Sequence, residues 1–406
     1  MHPPRLVRVA APLLVGALVL SACGSKKEED SSGGGKTYTL GVIAPLTGDL
    51  SAIGLGIKHG VELAVKQANA NKTIDGVTLK VQAEDDAADP DTGARVAARL
   101  VANSSVVGVV GPLNSSVAKS VAPVLSAANL TEISPANSNV DLTGRGALLT
   151  GAKQVRPYKS YFRAVTTDDI QGPFDAQFAV QTLKAKRIAI VHDKKAYGQG
   201  LAQAVAAEAK KLGANVLPTL TVNPDDKDFS AIVTTLKSKK PDFLFYGGEY
   251  PAGGLLKKQM YAGGLRIPLM GGDGMDVPNF VKTGGKQATE GDYVSGFGAP
   301  AEKLSSAKQF LEDYTAAKFA DPMGPYGAYA FDSANAIIKA LSKAAEEKKS
   351  GAELRAEVTK EVGESDFDGV TGHISFDEFG DTNLKVLTVS KIVNGQAVAT
   401  KTAEFK

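Results

Sequence analysis

The chain has 406 residues, more than a single hydrophobic core usually serves, so two domains are expected. Its 46 Lys and Arg nearly balance 44 Asp and Glu, which excludes an electrostatic nucleic-acid binder. A hydrophobic share of 43% fits a globular protein, and the lone cysteine excludes an intramolecular disulfide.

Residues 1–22 read as a secretory signal rather than as fold. "MHPPRLVR" carries Arg5 and Arg8 and no acid. The apolar run "VAAPLLVGALVL" has 12 residues, fewer than the roughly 20 that cross a bilayer. "LSAC" then resembles a lipobox, which makes Cys23 the expected lipidated first residue of the mature chain. Cleavage there removes both arginines and no acid, so the mature chain is neutral. "GSKKEEDSSGGGK" reads as a flexible tether, completing a segment 23–36 that spans roughly 20 Å. The expected location is extracytoplasmic, at the cell membrane, with the lipid on Cys23 as the anchor.

From Lys36 onward strands and helices alternate. "TYTLGVIAPL" is a strand, and the next helix places Ile53, Ile57, Val61, Ala64 and Ala68 on one face. "VTLKVQAED", a helix started by Asp89 and Pro90, the doubly covered strand "VVGVVG", the helix after "NSS" and the strand "LTEIS" follow. An irregular stretch, 139–160, precedes a second round from "YFRAV" through "RIAIVHD", "ANVLPTLTV", "DFLFYGG" and "IPLMGG" to about residue 297. Three helical segments begin at "AEKLSSAKQF", "YGAYAFDSAN" and "GAELRAEVTK", and the β-like runs "GHISFD", "LKVLTVSKIV" and "QAVATKTAEF" end the chain. The fold class is therefore α/β, with two doubly wound parallel-sheet lobes. The late helices are expected to return to the first lobe.

Ligands of such sheets sit beyond the carboxyl ends of the strands. Those ends carry "APLTGD", "GPLNSS", "SPANSN", "HDKKAYGQG", "YGGEYP" and "GGDG". Nucleotide binding finds no support: "GLGIKHG" has one residue too many for GxGxxG, "GQGLAQ" lacks the third glycine, and no GxxxxGK[ST] occurs. Hydrolysis lacks a GxSxG elbow, and His192, in a strand-end loop, is the sole candidate base. Metal ligation has no cysteine cluster and no His-x-x-x-His pair. A binding protein without cofactor or metal remains. Ser115, Ser116 and Ser138 are helix caps or neutral donors to a carboxylate. Asp273 is the acid an ammonium requires, and Tyr197, Tyr250 and Tyr329 offer an amphipathic wall.

The runs "RIAIVHDKKAYGQGLAQAV", "DKDFSAIVTTLK", "PDFLFYGG" and "PLMGGDG", with "APLTGDLSAIGLGIKHGVELAV" and "DDAADPDTGARVA" before them, carry a family likeness. In order and across 37–400, they resemble the leucine/isoleucine/valine-binding proteins of ABC importers, which have the type I periplasmic-binding-protein fold. The resemblance implies two lobes joined by a hinge with several chain crossings: 37–166 and 298–383 in the N-lobe, 167–297 and 384–406 in the C-lobe. It also implies an apolar amino acid bound between the lobes, no catalysis, a monomer, and docking on an ABC permease with its ATPase subunits.

By position, Ser115 is implied as the α-carboxylate clamp, with Ser116 beside it, Ser138 in place of a ligand-binding threonine, and Leu113 and Ala136 as backbone contacts. Tyr197 matches a pocket tyrosine, Asp273 replaces an ammonium-binding glutamate, and Tyr329 falls near a pocket aromatic. Glu249 stands where an aromatic is common, with Tyr250 adjacent, and Ile53 where tyrosine is frequent. Ala88 and Asn114 occupy the positions of a disulfide found in some members. "GAKQVRPYKSY", 151–161, is longer than in the family. Two other readings stay open: an amino-acid-sensing ectodomain acting through a partner receptor, and a secreted hydrolase using Ser115 or His192.

Overall fold

The computed structural model describes residues 35–405. The signal segment and Cys23 lie outside the described residues.

The first sheet is built from β1 (Lys36–Ala44), β2 (Val77–Asp85), β3 (Val106–Val110), β4 (Thr131–Ser134) and β5 (Tyr161–Arg163). All pairings are parallel, in the order β2-β1-β3-β4-β5. Helices α1 (Ser51–Ala70), α2 (Pro90–Ala102) and α3 (Ser115–Ala127) link the first four strands. Every residue of β3 is buried, as a strand covered on both faces requires. At the start of α2 the Asp89 carboxylate accepts from Thr92 N at 2.8 Å, and Pro90 fills a position that needs no donor.

A second sheet forms after helix α4 (Asp168–Gln177). In chain order come β6 (Arg187–His192), α5 (Ala196–Lys211), β7 (Asn215–Val216), β8 (Leu220–Thr221), α6 (Ser230–Lys239), β9 (Phe243–Gly247), α7 (Tyr250–Ala262) and β10 (Leu269–Gly271). Helices α8 (Pro278–Gly284) and α9 (Lys286–Thr289) lead to β11 (Tyr293–Phe297). The chain then returns to the first sheet, where α10 (Lys308–Ala317), α11 (Gly327–Glu346) and α12 (Gly351–Gly363) pack, α11 and α12 lying under β3 and β4. A small antiparallel hairpin, β12 (Asp366–Asp368) and β13 (His373–Ser375), precedes β14 (Val386–Val393) and β15 (Gln396–Glu404). These last two extend the second sheet, β14 antiparallel to β11 and β15 antiparallel to β14, giving the order β15-β14-β11-β10-β9-β6-β7, with β8 also on β6. In the first sheet β1 lies between β2 and β3, and in the second β6 lies between β7 with β8 and β9, so each has a switch point beside its first strand.

Three expectations differ in detail. "ANVLPTLTV" yields two short strands, because Pro218 between β7 and β8 has no N–H for the ladder. The helix expected from Ala301 begins at Lys308, after two 3-10 turns. His192 is the last residue of β6 rather than part of a loop. The glycines of "GLGIKHG" have a packing role: a Cβ at Gly56 would lie 2.1 Å from Met323 O, and one at Gly60 2.2 Å from Gly327 O. They let α1 approach the start of α11, backbone against backbone.

The irregular stretch before β5 forms two 3-10 turns, Val140–Thr143 and Arg145–Thr150. The long segment that follows is strapped down by its own side chains. Gln154 donates to Thr143 O at 3.0 Å, and Arg156 donates to Tyr161 O at 2.7 Å and Glu378 O at 3.1 Å. It therefore binds the chain just before β5 to the loop that leads back to β14.

At the same place Arg163, fully buried, meets Asp381 with Nε to Oδ1 at 2.6 Å. Its remaining donors reach Asn137 O, Asn139 O and the Thr143 hydroxyl. A buried guanidinium so completely matched leaves a stranded charge when its partner is removed. Asp381→Ala is expected to cost about 3–5 kcal/mol in urea unfolding; a loss of only a few tenths would show the pair to be dispensable.

Candidate functional site

The carboxyl ends of the two sheets face each other. On the first sheet, β3 ends in a loop that delivers Leu113 and Asn114 to the mouth of α3. Ser134 Oγ donates to Pro112 O at 2.9 Å and Asn137 Nδ2 to Leu113 O at 2.7 Å, so the loop after β4 fixes the loop after β3. Asn114 is the N-cap residue of α3 but makes no side-chain cap bond, which leaves the first-turn N–H groups unclaimed by it. Ser115 and Ser138 are buried, and Ala136 lies between the anchors Ser134 and Asn137.

On the second sheet, Asp193 follows β6, and its Oδ1 accepts from Lys195 N at 3.0 Å and sets the start of α5. Tyr197 lies in that helix's first turn and donates to Asp273 Oδ1 at 2.9 Å. Asp273 follows β10, and its other oxygen accepts from Tyr326 at 2.6 Å. Burial lifts the Asp273 carboxyl to about 6 despite these two phenols. Desolvation also raises Asp168 to about 8, and Asp276 to about 6 with Asp273 adding to it.

Several bonds run between the two halves. Ser116 Oγ accepts from Ala196 N at 3.1 Å, and Asn139 Nδ2 donates to Ala196 O at 2.9 Å. Asn114 donates to Glu249, and the Tyr250 hydroxyl to Asp49 O. Tyr326, just before α11, completes the set through Asp273.

Two cavities flank this contact. The larger, about 670 Å³, is lined by Ile53, Tyr250, Asp273, Asp276, Tyr326 and Tyr329 among others. The second, about 460 Å³, is lined by Glu249 and the loops after β1, β2 and β6.

Residues 37–396 match the family described as Periplasmic binding protein. The chain belongs to that family. A Leu/Ile/Val-binding protein of Rhizobium johnstonii is 32% identical over 89% of this chain and 93% of its own length. The branched-chain amino acid transporter substrate-binding protein of Streptococcus pneumoniae, solved with isoleucine, aligns with a TM-score of 0.80 at 26% identity, covering 91% of this chain and all of that one. A type 1 periplasmic binding protein from Bordetella pertussis shares the fold, with a TM-score of 0.78 at 22% identity over 90% of this chain and 100% of that one. Members of the family are extracytoplasmic, and no described helix is long and apolar enough to cross a membrane.

Within this periplasmic binding protein the sequence-expected site residues fall into three groups. Tyr250, Asp273 and Tyr329 line the larger cavity. Glu249 lines the smaller. Leu113, Ser115, Ser116, Ala136, Ser138 and Tyr197 line neither and sit at or beside the contact between the halves, where Ser116 spends its oxygen on Ala196 N. Tyr326 escaped the sequence reading although it, not Tyr329, bonds Asp273. Its signal was available: it follows Gly324 and Pro325 at a helix mouth, where the other candidates also lie. Asn139 and Asp168 were missed as well, as ordinary polar loop residues.

The raised carboxyls give the stability a sign. Between 3.8, the ordinary carboxyl value, and about 6 for Asp273 or about 8 for Asp168, the folded protein holds protons that the unfolded chain has shed. Stability contributed by these groups is present at low pH and lost as pH rises through about 6 and then about 8. Melting temperature should therefore fall between about pH 5 and about pH 8, with a shallower fall in Asp168→Asn. A flat or rising profile would contradict this assignment.

Proposed function

We propose that this chain binds a branched-chain or other apolar amino acid between two hinged lobes and delivers it to an ABC permease powered by ATPase subunits. The observation that carries the reading is the buried Asp273 carboxylate, held by two neutral phenols and no cation, and the mouth of α3 supplies a second group, N–H donors that its N-cap side chain does not claim. An α-amino acid supplies both missing charges: its ammonium for Asp273, its carboxylate for the mouth of α3 at Ser115. Relatives named for leucine, isoleucine and valine support the apolar side chain. Ser138, Leu113 and Ala136 belong with the carboxylate end of the site, Tyr197, Tyr250, Tyr326 and Tyr329 with its walls, and Ser116 with closure.

In this proposal 37–166 and 298–383 move as one lobe, and 167–297 and 384–406 as the other. The bonds from Asn114, Ser116, Asn139 and Tyr326 form when they close. The protein acts as a monomer and performs no chemistry on its ligand. Lipid on Cys23 holds it at the membrane, and the residues from 24 up to β1, which begins at Lys36, serve as tether.

Calorimetry on the chain from residue 24 should give saturable binding of leucine, isoleucine or valine. Asp273→Ala and Ser115→Ala should each weaken it by about 1–3 kcal/mol. Heat-silent titrations with every proteinogenic amino acid would overturn the reading. Cys23→Ala should move the protein from the membrane fraction to the soluble extracytoplasmic fraction; an unchanged membrane fraction would refute the anchor.

A further inference from the structure

The smaller cavity is not the apolar slot that a leucine side chain requires. Its wall carries Asp49, Asp89, Asp193, Asp225 and Glu249 against a single lysine, Lys195. Part of this charge is used locally. Glu249 bonds Asn114 and pairs with Lys195 at 3.2 Å, Asp49 pairs with Lys227 at 3.6 Å, and Asp89 caps α2. Asp193 is different. It is 1% exposed, and its Oδ2 has no hydrogen-bond partner.

A second group points the same way. The Tyr246 hydroxyl also lines the cavity, is fully buried and has no partner. A Cβ placed on Gly248 would lie 2.7 Å from that hydroxyl and 2.9 Å from Asp193 Oδ2, so the glycine, at φ +154, lets both unpartnered groups come together against its backbone. Buried polar atoms without partners are expensive unless something supplies the missing donor. Among the described residues no three acidic, histidine or cysteine side chains converge as metal ligands, so an extended organic cation suits the cavity better than a metal ion.

The cavity also adjoins the amino-acid site. Glu249 faces it while the next residue, Tyr250, faces the larger cavity with Asp273. Asn114, which bonds Glu249, immediately precedes Ser115 at the mouth of α3. A ligand anchored at Ser115 and Asp273 therefore has this acidic chamber as a neighbour.

We infer that the chamber is a cation subsite, which extends the ligand range to α-amino acids whose side chain ends in a guanidinium or an ammonium. The inference rests on the amino-acid reading above. Asp193 and Asp225 hold the cationic end, the Tyr246 oxygen accepts from it, and Lys195 is displaced from Glu249 as the ligand enters.

The test compares arginine with its neutral isostere citrulline, and lysine with norleucine, by calorimetry on the chain from residue 24, with leucine as reference. Arginine and lysine should each bind at least about tenfold more tightly than the neutral amino acid paired with it. That ratio should shrink in Asp225→Asn, an exposed position whose change leaves the fold intact, and in Asp193→Asn, and should grow in Lys195→Met. A ratio of one or less while leucine binds would overturn the cation subsite and leave the amino-acid reading standing. Failure of leucine and every other amino acid to bind would overturn both.

Discussion

Arg163 is the point on which this architecture turns. Its guanidinium is buried where the chain leaves the first sheet, and Asp381 reaches it from the segment returning to the second. The same side chain donates to Asn137 O and Asn139 O, the carbonyls on either side of Ser138. One ion pair thus ties two chain crossings together and sets the loop that faces the second sheet. Its worth lies less in net stability than in specification, since a buried pair is roughly offset by its own desolvation. What it fixes is which backbone atoms meet at the crossing.

The electrostatics of the contact region follow from closing two polar surfaces on each other. Asp168, Asp193, Asp273 and Asp276 are all raised, with burial as the leading cause in each case. Tyrosines rather than lysines or arginines approach Asp273. A phenol satisfies a carboxylate oxygen without cancelling its charge, so the field remains for a ligand to neutralise. A protein cation in the same place would compete with any ammonium.

Much of the fold was legible because its signals are local and repeated. Alternating apolar strands and 3.6-residue helices locate nearly every element, and Asp89–Pro90 marks the start of α2 by a mechanism confined to four residues. The site was legible only in its positions. Polar strand ends pointed to Ser115, Asp273 and Tyr250, but which of them meet depends on the approach of two separate sheets. Ser116 and Asn139 look alike in sequence to ligand donors, yet Ala196 takes both. Tyr326 and Tyr329 are three residues apart, one helical turn, and only the geometry of α11 assigns the first to Asp273. The stretch 151–161 carried no periodic signal at all, because its order comes from Arg156 binding the carbonyls of Tyr158, Tyr161 and the sequence-distant Glu378.

The second sheet has its β11 at 293–297 and its next strand, β14, only at 386–393. Between them the chain supplies α10, α11 and α12 to the first sheet. Neither half is a contiguous piece of polypeptide, so neither can finish its sheet and its cover before the other is well advanced. Closing those long loops costs chain entropy before any contact repays it. Assembly is accordingly expected to be slow and strongly cooperative, with the edge of β11 unpaired until β14 arrives. A chain built this way has no half that can fold ahead of the other, so its two sheets are expected to be completed together rather than in turn.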